Sequence, residues 1–119
     1  MRVIIGCECS AIVRDEFRAR GHDAWSCDLK PCERDPRWHL QCDLLSVLND
    51  GWDMGIFHPD CTYLTVSNNG PMSNGCSLYS AEEAKRRRGE AITFFMACYY
   101  NQIAMVAVEN PVGIMASQF

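Results

Sequence analysis

The residue types that carry out most protein chemistry are concentrated in five short stretches of the sequence. They combine thiols, carboxylates, one histidine and a glycine turn, and they are 6–10, Asp28, Asp43, 58–61 and 109–111. Thiols act as nucleophiles, and carboxylates move protons or accept hydrogen bonds from sugar hydroxyls. Each stretch follows an apolar run that is typical of a strand. If the strands are parallel, the stretches meet at one edge of a sheet, where open α/β folds bind ligands.

Cys61 and Glu109 are the candidate catalytic residues. Cys61 follows a proline and an acid in a loop, where a helix N-terminus or a bound cation would favour its thiolate. The alternative for Cys61 is an inert packing thiol. Glu109 ends an apolar strand, and a carboxyl group against apolar walls is suited to act as an acid. The alternative for Glu109 is a structural carboxylate that accepts hydrogen bonds from loop N–H groups.

The first turn and two acids are candidate ligand-binding residues. Gly6 would let the backbone approach a ligand, and Ser10 would cap a helix whose N–H groups point at that ligand. Without a G-x-G-x-x-G pattern, an ordinary strand-to-helix turn is an equally good reading. Asp28 is placed to accept hydrogen bonds from ribose hydroxyls, or it is a solvated loop acid. Asp43 is foremost a helix N-cap, whose backbone could also contact an adenine.

A zinc site is a weaker reading of the cysteines. Its ligands would be Cys27, Cys32, His39 and Cys42, but their spacing lacks the C-x2-C pair of structural zinc sites. The sequence therefore predicts no metal site.

The only basic cluster is 85–88. Four successive residues wrap around a helix, so they cannot all face one phosphate backbone. A solvated helix face is the favoured reading, and a phosphate clamp is the alternative.

Strands and helices alternate along the chain, which predicts an α/β fold with a parallel sheet and helices on both faces. The long helix would present Ile92, Phe95, Met96 and Tyr99 on one face. The predicted strands are 2–6, 23–27, 38–42, 52–57 and 103–108, and the predicted helices are 11–20, 44–48 and a long one that opens with a Ser80–Glu83 capping box.

Length and composition favour one small globular domain, spanning 1–119. The chain has 119 residues, a net charge of −4 and 48% hydrophobic residues, which is enough for a core. No apolar run is long enough to span a membrane, and the N-terminus does not resemble a signal peptide. Eight cysteines without a signal peptide indicate reduced, mostly packing thiols in the cytoplasm. An acidic chain is also a poor general binder of nucleic acid, because neutralising the phosphates needs Lys and Arg.

Two segments of the chain resemble DNA cytosine-5 methyltransferases. The sequence WDMGIFHPDC at 52–61 resembles the family's apolar strand that ends in Pro-Pro-Cys, and MVAVENPVGI at 105–114 resembles its Glu-Asn-Val segment. The first turn, 6–17, lies where the family has Phe-x-Gly-x-Gly. The whole chain is similar to small methyltransferase-like proteins of phages and bacteria that carry a His-Pro-x-Cys-Thr-Tyr-Leu segment.

This resemblance implies a Rossmann-like class I methyltransferase fold that binds S-adenosylmethionine. A cytosine would be flipped between Cys61, which attacks C6 of the ring, and Glu109, which protonates or hydrogen-bonds N3. The implied cofactor-binding residues are Gly6, Cys7, Glu8, Ser10, Asp28 on the ribose, Asp43 near the adenine, and Pro59. The candidate nucleic-acid contacts are Arg86, Arg87 and Asn110.

The sequence also departs from the family. Asp60 stands in place of the second proline, and its charge opposes formation of a Cys61 thiolate. The first turn lacks the family's usual glycines. The chain ends nine residues after Asn110, so we expect about five strands, with the family's later strands and its target-recognition domain missing. An uncovered sheet edge would favour self-association.

Two other function classes follow from these departures. The chain could be a catalytically inactive methyltransferase-like domain that acts through protein contact, for example a phage factor that blocks a host defence complex. Methylation of an amino group is a poorer fit, because 58–63 does not match an Asp-Pro-Pro-Tyr segment. The expected partner is therefore DNA or a protein in the bacterial cytoplasm.

Overall fold

The computed structural model describes residues 1–59 and 80–109 of the protein. The predictions for Cys61, Asn110 and the loop 62–79 lie outside the described residues. The strands are β1 (Arg2–Gly6), β2 (Asp23–Asp28), β3 (His39–Gln41), β4 (Met54–Phe57) and β5 (Met105–Val108), and the α-helices are α1 (Ile12–Ala19) and α2 (Ala81–Tyr99). Each predicted strand is confirmed to within a few residues. The helix predicted at 44–48 is instead a 3-10 turn, Leu44–Ser46.

The five strands form one parallel sheet in the order β3-β2-β1-β4-β5. The chain starts in the middle, adds β2 and β3 on one side, and then crosses to add β4 and β5 on the other. This arrangement confirms the α/β class and is compatible with a Rossmann-like fold. The strand order reverses between β1 and β4, and the crevice at such a reversal is where open α/β sheets bind ligands.

The core under α1 follows from the alternation of side chains along β1. Val3 and Ile5 are fully buried on one face of the sheet together with Ala24 of β2. Val13 and Phe17, which are four residues apart on α1, pack against this cluster. An amphipathic helix and a β-branched strand thus bury each other, and the packing fixes the start of α1 near the end of β1.

The opposite face of β1 is packed too closely for a side chain at Gly6. A Cβ atom there would lie 2.5 Å from Cδ1 of Phe57 and 2.6 Å from Cδ2 of Leu44. Both neighbours are buried, so neither has free space to move into. Core packing therefore explains the glycine at position 6, whereas the sequence predicts that this glycine lets a ligand approach the backbone.

The chain divides into two compact units. The first consists of 1–59 and 97–109 and contains the whole sheet and α1. The described part of the second is 80–96, most of α2. Of the predicted Ser80–Glu83 capping box, the structure shows the hydrogen bond from the Glu83 N–H to Ser80 Oγ at 3.2 Å. Of the predicted apolar face, Phe95 is buried but Tyr99 is 49% exposed. Within the described ranges, neither helix is long and apolar enough to cross a membrane.

Candidate ligand site at the carboxyl edge of the sheet

An open cleft of about 380 Å³ lies at the carboxyl ends of β1 and β4. This volume falls within the range of about 300–1,000 Å³ that is usual for small-molecule sites. The lining residues come from the β1–α1 connection, the first turn of α1 and the end of β4: Cys7, Glu8, Cys9, Ser10, Ile12, Val13 and His58. The cleft therefore coincides with the reversal of strand order, and its lining includes three of the predicted cofactor-binding residues, Cys7, Glu8 and Ser10.

Glu8 is the most constrained of these residues. Its side chain is buried, and its carboxylate oxygens accept hydrogen bonds from the backbone N–H groups of Val13 at 2.8 Å and Arg14 at 3.2 Å. These N–H groups belong to the first turn of α1, which would otherwise be an anion site. Glu8 thus occupies the position that a ligand phosphate takes in a dinucleotide-binding fold.

The capping of α1 differs from the sequence prediction. The helix begins at Ile12, and Ala11 at the N-cap has a left-handed backbone with φ of 62°. Ser10 was predicted to be the cap, but its hydroxyl accepts only a long 3.4 Å hydrogen bond from the N–H of Ile12. The chain reaches the helix through a second left-handed residue, Cys7, with φ of 60°. A motif search misses this turn because no glycine marks it.

Asp28 and Asp43 lie farther along the same edge: Asp28 is the last residue of β2, and Asp43 precedes the 3-10 turn that follows β3. Neither is among the described residues that line the cleft. Asp28 is half-buried, and its Oδ1 accepts from the Lys30 N–H at 2.9 Å. Asp43 is exposed and caps the 3-10 turn by accepting from the Leu45 N–H at 3.0 Å, as the N-cap prediction required.

Two large apolar side chains near these acids are exposed. Leu29 directly follows Asp28 and is 72% exposed, and Leu45 lies two residues after Asp43 and is 45% exposed. Burial of such side chains is normally favourable. This edge of the sheet therefore offers carboxylates together with uncovered apolar surface.

Glu109 lies directly after β5 and contacts the end of β4. Its backbone N–H donates to the carbonyl of Phe57 at 2.9 Å, which continues the β4–β5 ladder. Its carboxylate is 3.2 Å from Nδ1 of His58 and its side chain is 69% exposed. The sequence places His58 among the residues that follow strands but assigns it no function. Its contact with Glu109 depends on strand pairing, which residue spacing does not reveal.

Pro59 is buried at the end of the sheet unit. The preceding residue, His58, donates its backbone N–H to the carbonyl of Gly6 at 3.0 Å. The start of the segment that resembles the methyltransferase motif is therefore tied to the end of β1.

Arg86 and Arg87, the predicted nucleic-acid contacts, form ion pairs within α2. Arg86 Nε donates to Glu83 at 2.8 Å, and Arg87 Nε donates to the same carboxylate at 3.0 Å. Arg86 also pairs with Glu90. These hydrogen bonds lower the pKa of Glu83 to about 2. A DNA phosphate would have to compete with these carboxylates for both guanidinium groups.

The side chains of the zinc alternative are engaged in other contacts. His39 Nε2 is 3.0 Å from the Lys30 carbonyl, which can only accept, so Nδ1 accepts from the Ser26 hydroxyl at 2.7 Å. Cys32 Sγ accepts from Arg14 Nη1 at 3.5 Å. In 1–59 and 80–109, no group of three or more potential ligands could hold a metal ion.

Arg14 carries a buried charge that the sequence pattern does not predict. It lies on α1 with no solvent exposure, and its Nη1 donates to Ser26 Oγ at 3.1 Å. Nε donates to Asp15 at 2.9 Å, whereas Nη2 lies 2.8 Å from the same oxygen without hydrogen-bond geometry. The charge of Arg14 is thus compensated by Asp15, and Arg14 ties α1 to β2.

Comparison of the chain with protein-family models, with curated proteins and with solved structures found no match.

Proposed function

We propose that this chain is an S-adenosylmethionine-dependent methyltransferase-like domain, related to the DNA cytosine-5 methyltransferases and directed at a flipped cytosine. The observation that carries the proposal is the buried carboxylate of Glu8, which accepts from two N–H groups of α1 at the lip of the cleft. A Rossmann-like sheet with its helix N-terminus already occupied by an anion is poorly suited to a phosphate.

The charge of the cleft supports a cationic ligand. A carboxylate at the cleft repels the pyrophosphate of a dinucleotide and attracts a positive centre. S-Adenosylmethionine has no phosphate and carries a positive sulfonium, so its charge is complementary to Glu8.

The adjoining edge of the sheet suits an adenosine group. Asp28 is half-buried at the end of β2, where its carboxylate could accept hydrogen bonds from ribose hydroxyls. Leu29 and Leu45 supply exposed apolar surface that a planar base would cover. Both ribose and adenine would thus find chemically matched groups after β2 and β3.

The proposed cofactor supplies an electrophilic methyl group when it is bound. Glu109 would hold or move a proton at N3 of the cytosine, and His58, 3.2 Å away, would position its carboxyl group. In the proposal Cys61 is the nucleophile toward C6 of the ring. Pro59, buried and directly after His58, would fix the approach of this segment to the end of β1.

A second candidate function is binding to a protein partner without catalysis. It is favoured by the net charge of −4 and by the ion pairs that engage Arg86 and Arg87, because both reduce attraction to DNA. This candidate keeps the cofactor cleft but assigns no turnover to it.

Titration calorimetry with S-adenosylmethionine tests the proposed cofactor. We expect binding to the wild type and weaker binding to Asp28→Asn, because the amide loses a charged acceptor for the ribose. Hydrogen bonds to charged groups contribute roughly 1.5–3 kcal/mol, which corresponds to a loss of about ten- to a hundred-fold in affinity. We expect no binding of pyrophosphate.

The matched control is Asp23→Asn, at the other end of β2. It should leave the cofactor affinity unchanged, since Asp23 lies at the opposite edge of the sheet. Folded protein that shows no binding at millimolar cofactor would refute the proposal. Equal affinity of wild type and Asp28→Asn would refute the ribose assignment alone.

A further inference from the structure

Two thiols lie side by side at the carboxyl edge of β2 and β3. Cys27 is the next-to-last residue of β2, directly before Asp28, and Cys42 directly precedes Asp43. Their Sγ atoms are 4.0 Å apart, and the Cys27 thiol is also 3.5 Å from the carbonyl of Cys42. The N–H of Cys42 donates to the carbonyl of Leu40 at 3.1 Å, so a tight turn holds Cys42 at this place.

The two sulfurs lie near each other but not at bonding distance. An S–S bond is about 2.05 Å long, so the two atoms must approach by about 2 Å. Rotation of the Cys42 side chain and a small shift of the turn after β3 would supply this approach. The six cysteines that the structure describes are reduced, which is the starting state of such a pair.

We propose that Cys27 and Cys42 are a redox-active pair that peroxide converts to a reversible disulfide. The Cys42 sulfur attacks one oxygen of hydrogen peroxide, the O–O bond breaks, and a sulfenic acid and water form. The Cys27 sulfur then attacks the sulfenic sulfur, the S–O bond breaks, and a second water leaves with the disulfide complete. Two thiols are oxidised, one peroxide is reduced, and a thiol reductant reverses the reaction.

The surroundings of the two thiols set this order. Cys42 is half-buried and accessible to a small oxidant, whereas Cys27 is fully buried. Burial raises the pKa of the Cys27 thiol well above its usual range, and the neighbouring Cys42 raises it further. Cys27 therefore stays protonated and unreactive toward free peroxide. When its sulfur attacks the sulfenic acid held beside it, its proton passes to the departing hydroxyl group, which leaves as water.

The disulfide would act on the proposed cofactor site. Each cysteine directly precedes one of the acids Asp28 and Asp43, so a new bond between them shifts both acids together. This consequence rests on the proposed function, whereas formation of the disulfide does not. We expect the oxidised protein to bind S-adenosylmethionine more weakly, on the order of tenfold, as is typical of coupling between two sites.

Peptide mapping of the full chain tests the pair. The wild type is treated with a small excess of hydrogen peroxide, its remaining thiols are blocked with N-ethylmaleimide, and linked peptides are located by fragmentation. We expect a Cys27–Cys42 link that dithiothreitol removes. The proposal would be overturned if the first disulfide to form joined other cysteines. It would also be overturned if Cys42 were converted to sulfinic acid with no disulfide formed.

Two variants sharpen the result. Cys42→Ser should abolish the link, and Cys32→Ser should retain it, because Cys32 lies near Arg14 and outside the pair. The wild-type map decides the question even if a variant fails to fold.

Calorimetry on oxidised and reduced wild type then separates the two proposals. A disulfide without cofactor binding in either state refutes the proposed function but supports the redox pair. Equal cofactor affinity in both states would refute the coupling.

Discussion

At the scale of single residues, Glu8 shows how a side chain replaces a glycine-rich motif. The sequence predicted that Ser10 would cap α1 and that Gly6 would admit a ligand. The cap is instead Glu8, which reaches N–H groups five and six residues ahead, and the left-handed turn is carried by Cys7 and Ala11. Local propensity rules describe caps at the N-cap residue itself, so they do not identify a carboxylate that caps from within the β1–α1 connection.

Replacement of Glu8 tests this cap. Glu8→Ala removes the acceptor for two backbone N–H groups, and we expect a loss of roughly 0.5–2 kcal/mol in the free energy of unfolding. Glu8→Gln keeps one oxygen acceptor and should lose less. The measurement is denaturant unfolding, with Glu16→Ala on the exposed side of the same helix as the control. The control should change stability by less than about 0.5 kcal/mol. Equal losses for Glu8→Ala and Glu16→Ala would contradict the assignment.

Gly6 makes a second prediction at this scale. An alanine Cβ would meet Phe57 and Leu44 at 2.5 and 2.6 Å, so the buried core must move to accept it. We expect Gly6→Ala to destabilise the protein by about 1–3 kcal/mol in denaturant unfolding. Gly89→Ala is the matched control, since Gly89 lies inside α2 with nothing within 4 Å of its added Cβ. The control should be stabilising by roughly 0.5–1 kcal/mol, because alanine favours the helix. A neutral Gly6→Ala would show that the core is not closed around it.

At the scale of secondary structure, apolar residues and the residues that end each run predicted the strands of the sheet. β1 ends in a glycine, β2 ends in an acid, and β4 is followed by His58 and Pro59. The predictions failed where packing decides the outcome. Leu44 is buried and begins only a 3-10 turn, and Tyr99 is exposed although it shares the predicted apolar face with the buried Phe95. Helical spacing fixes which residues share a face but not how far along the helix that face is covered.

The first turn of α2 predicts a dependence of stability on pH. Hydrogen bonds from Arg86 and Arg87 lower the pKa of Glu83 from its ordinary value of 4.5 to about 2. Because the pKa is lower in the folded state, the stabilisation is complete above pH 4.5 and is lost as the pH falls through about 2. We expect the difference in unfolding free energy between wild type and Glu83→Gln to shrink over this interval.

Glu82→Gln is the control for this measurement. Glu82 shares the first turn and its favourable position near the helix N-terminus, but the guanidinium groups of Arg86 and Arg87 bond Glu83. Added salt should reduce the effect of Glu83→Gln, because the pairs are exposed. A Glu83→Gln effect that is constant from pH 7 to 2 would exclude the ion pairs as its cause.

At the scale of the whole molecule, the topology favours the proposed cofactor site, whereas the net charge disfavours binding to DNA. The strand order and the cleft are compatible with the proposed cofactor site, whereas a net charge of −4 gives little attraction to a DNA backbone. The sequence indicated both properties, but the alternation of strands and helices could not show that Glu8 closes the anion site. A chain of this charge would rely on recognition of an extruded base more than on phosphate contacts.

DNA that contains 5-fluorocytosine separates the two candidate functions. An enzyme that attacks C6 and methylates C5 must then lose the C5 proton, and fluorine at that position cannot leave in its place, so the protein stays bonded to the base. If the chain catalyses, single-stranded DNA with this base and S-adenosylmethionine should give a covalent adduct, seen by denaturing electrophoresis and mass spectrometry. Cys61→Ser should give none, and Cys32→Ser should behave like the wild type. Wild-type protein that binds the cofactor but forms no adduct would overturn the enzyme assignment and favour action through protein contact.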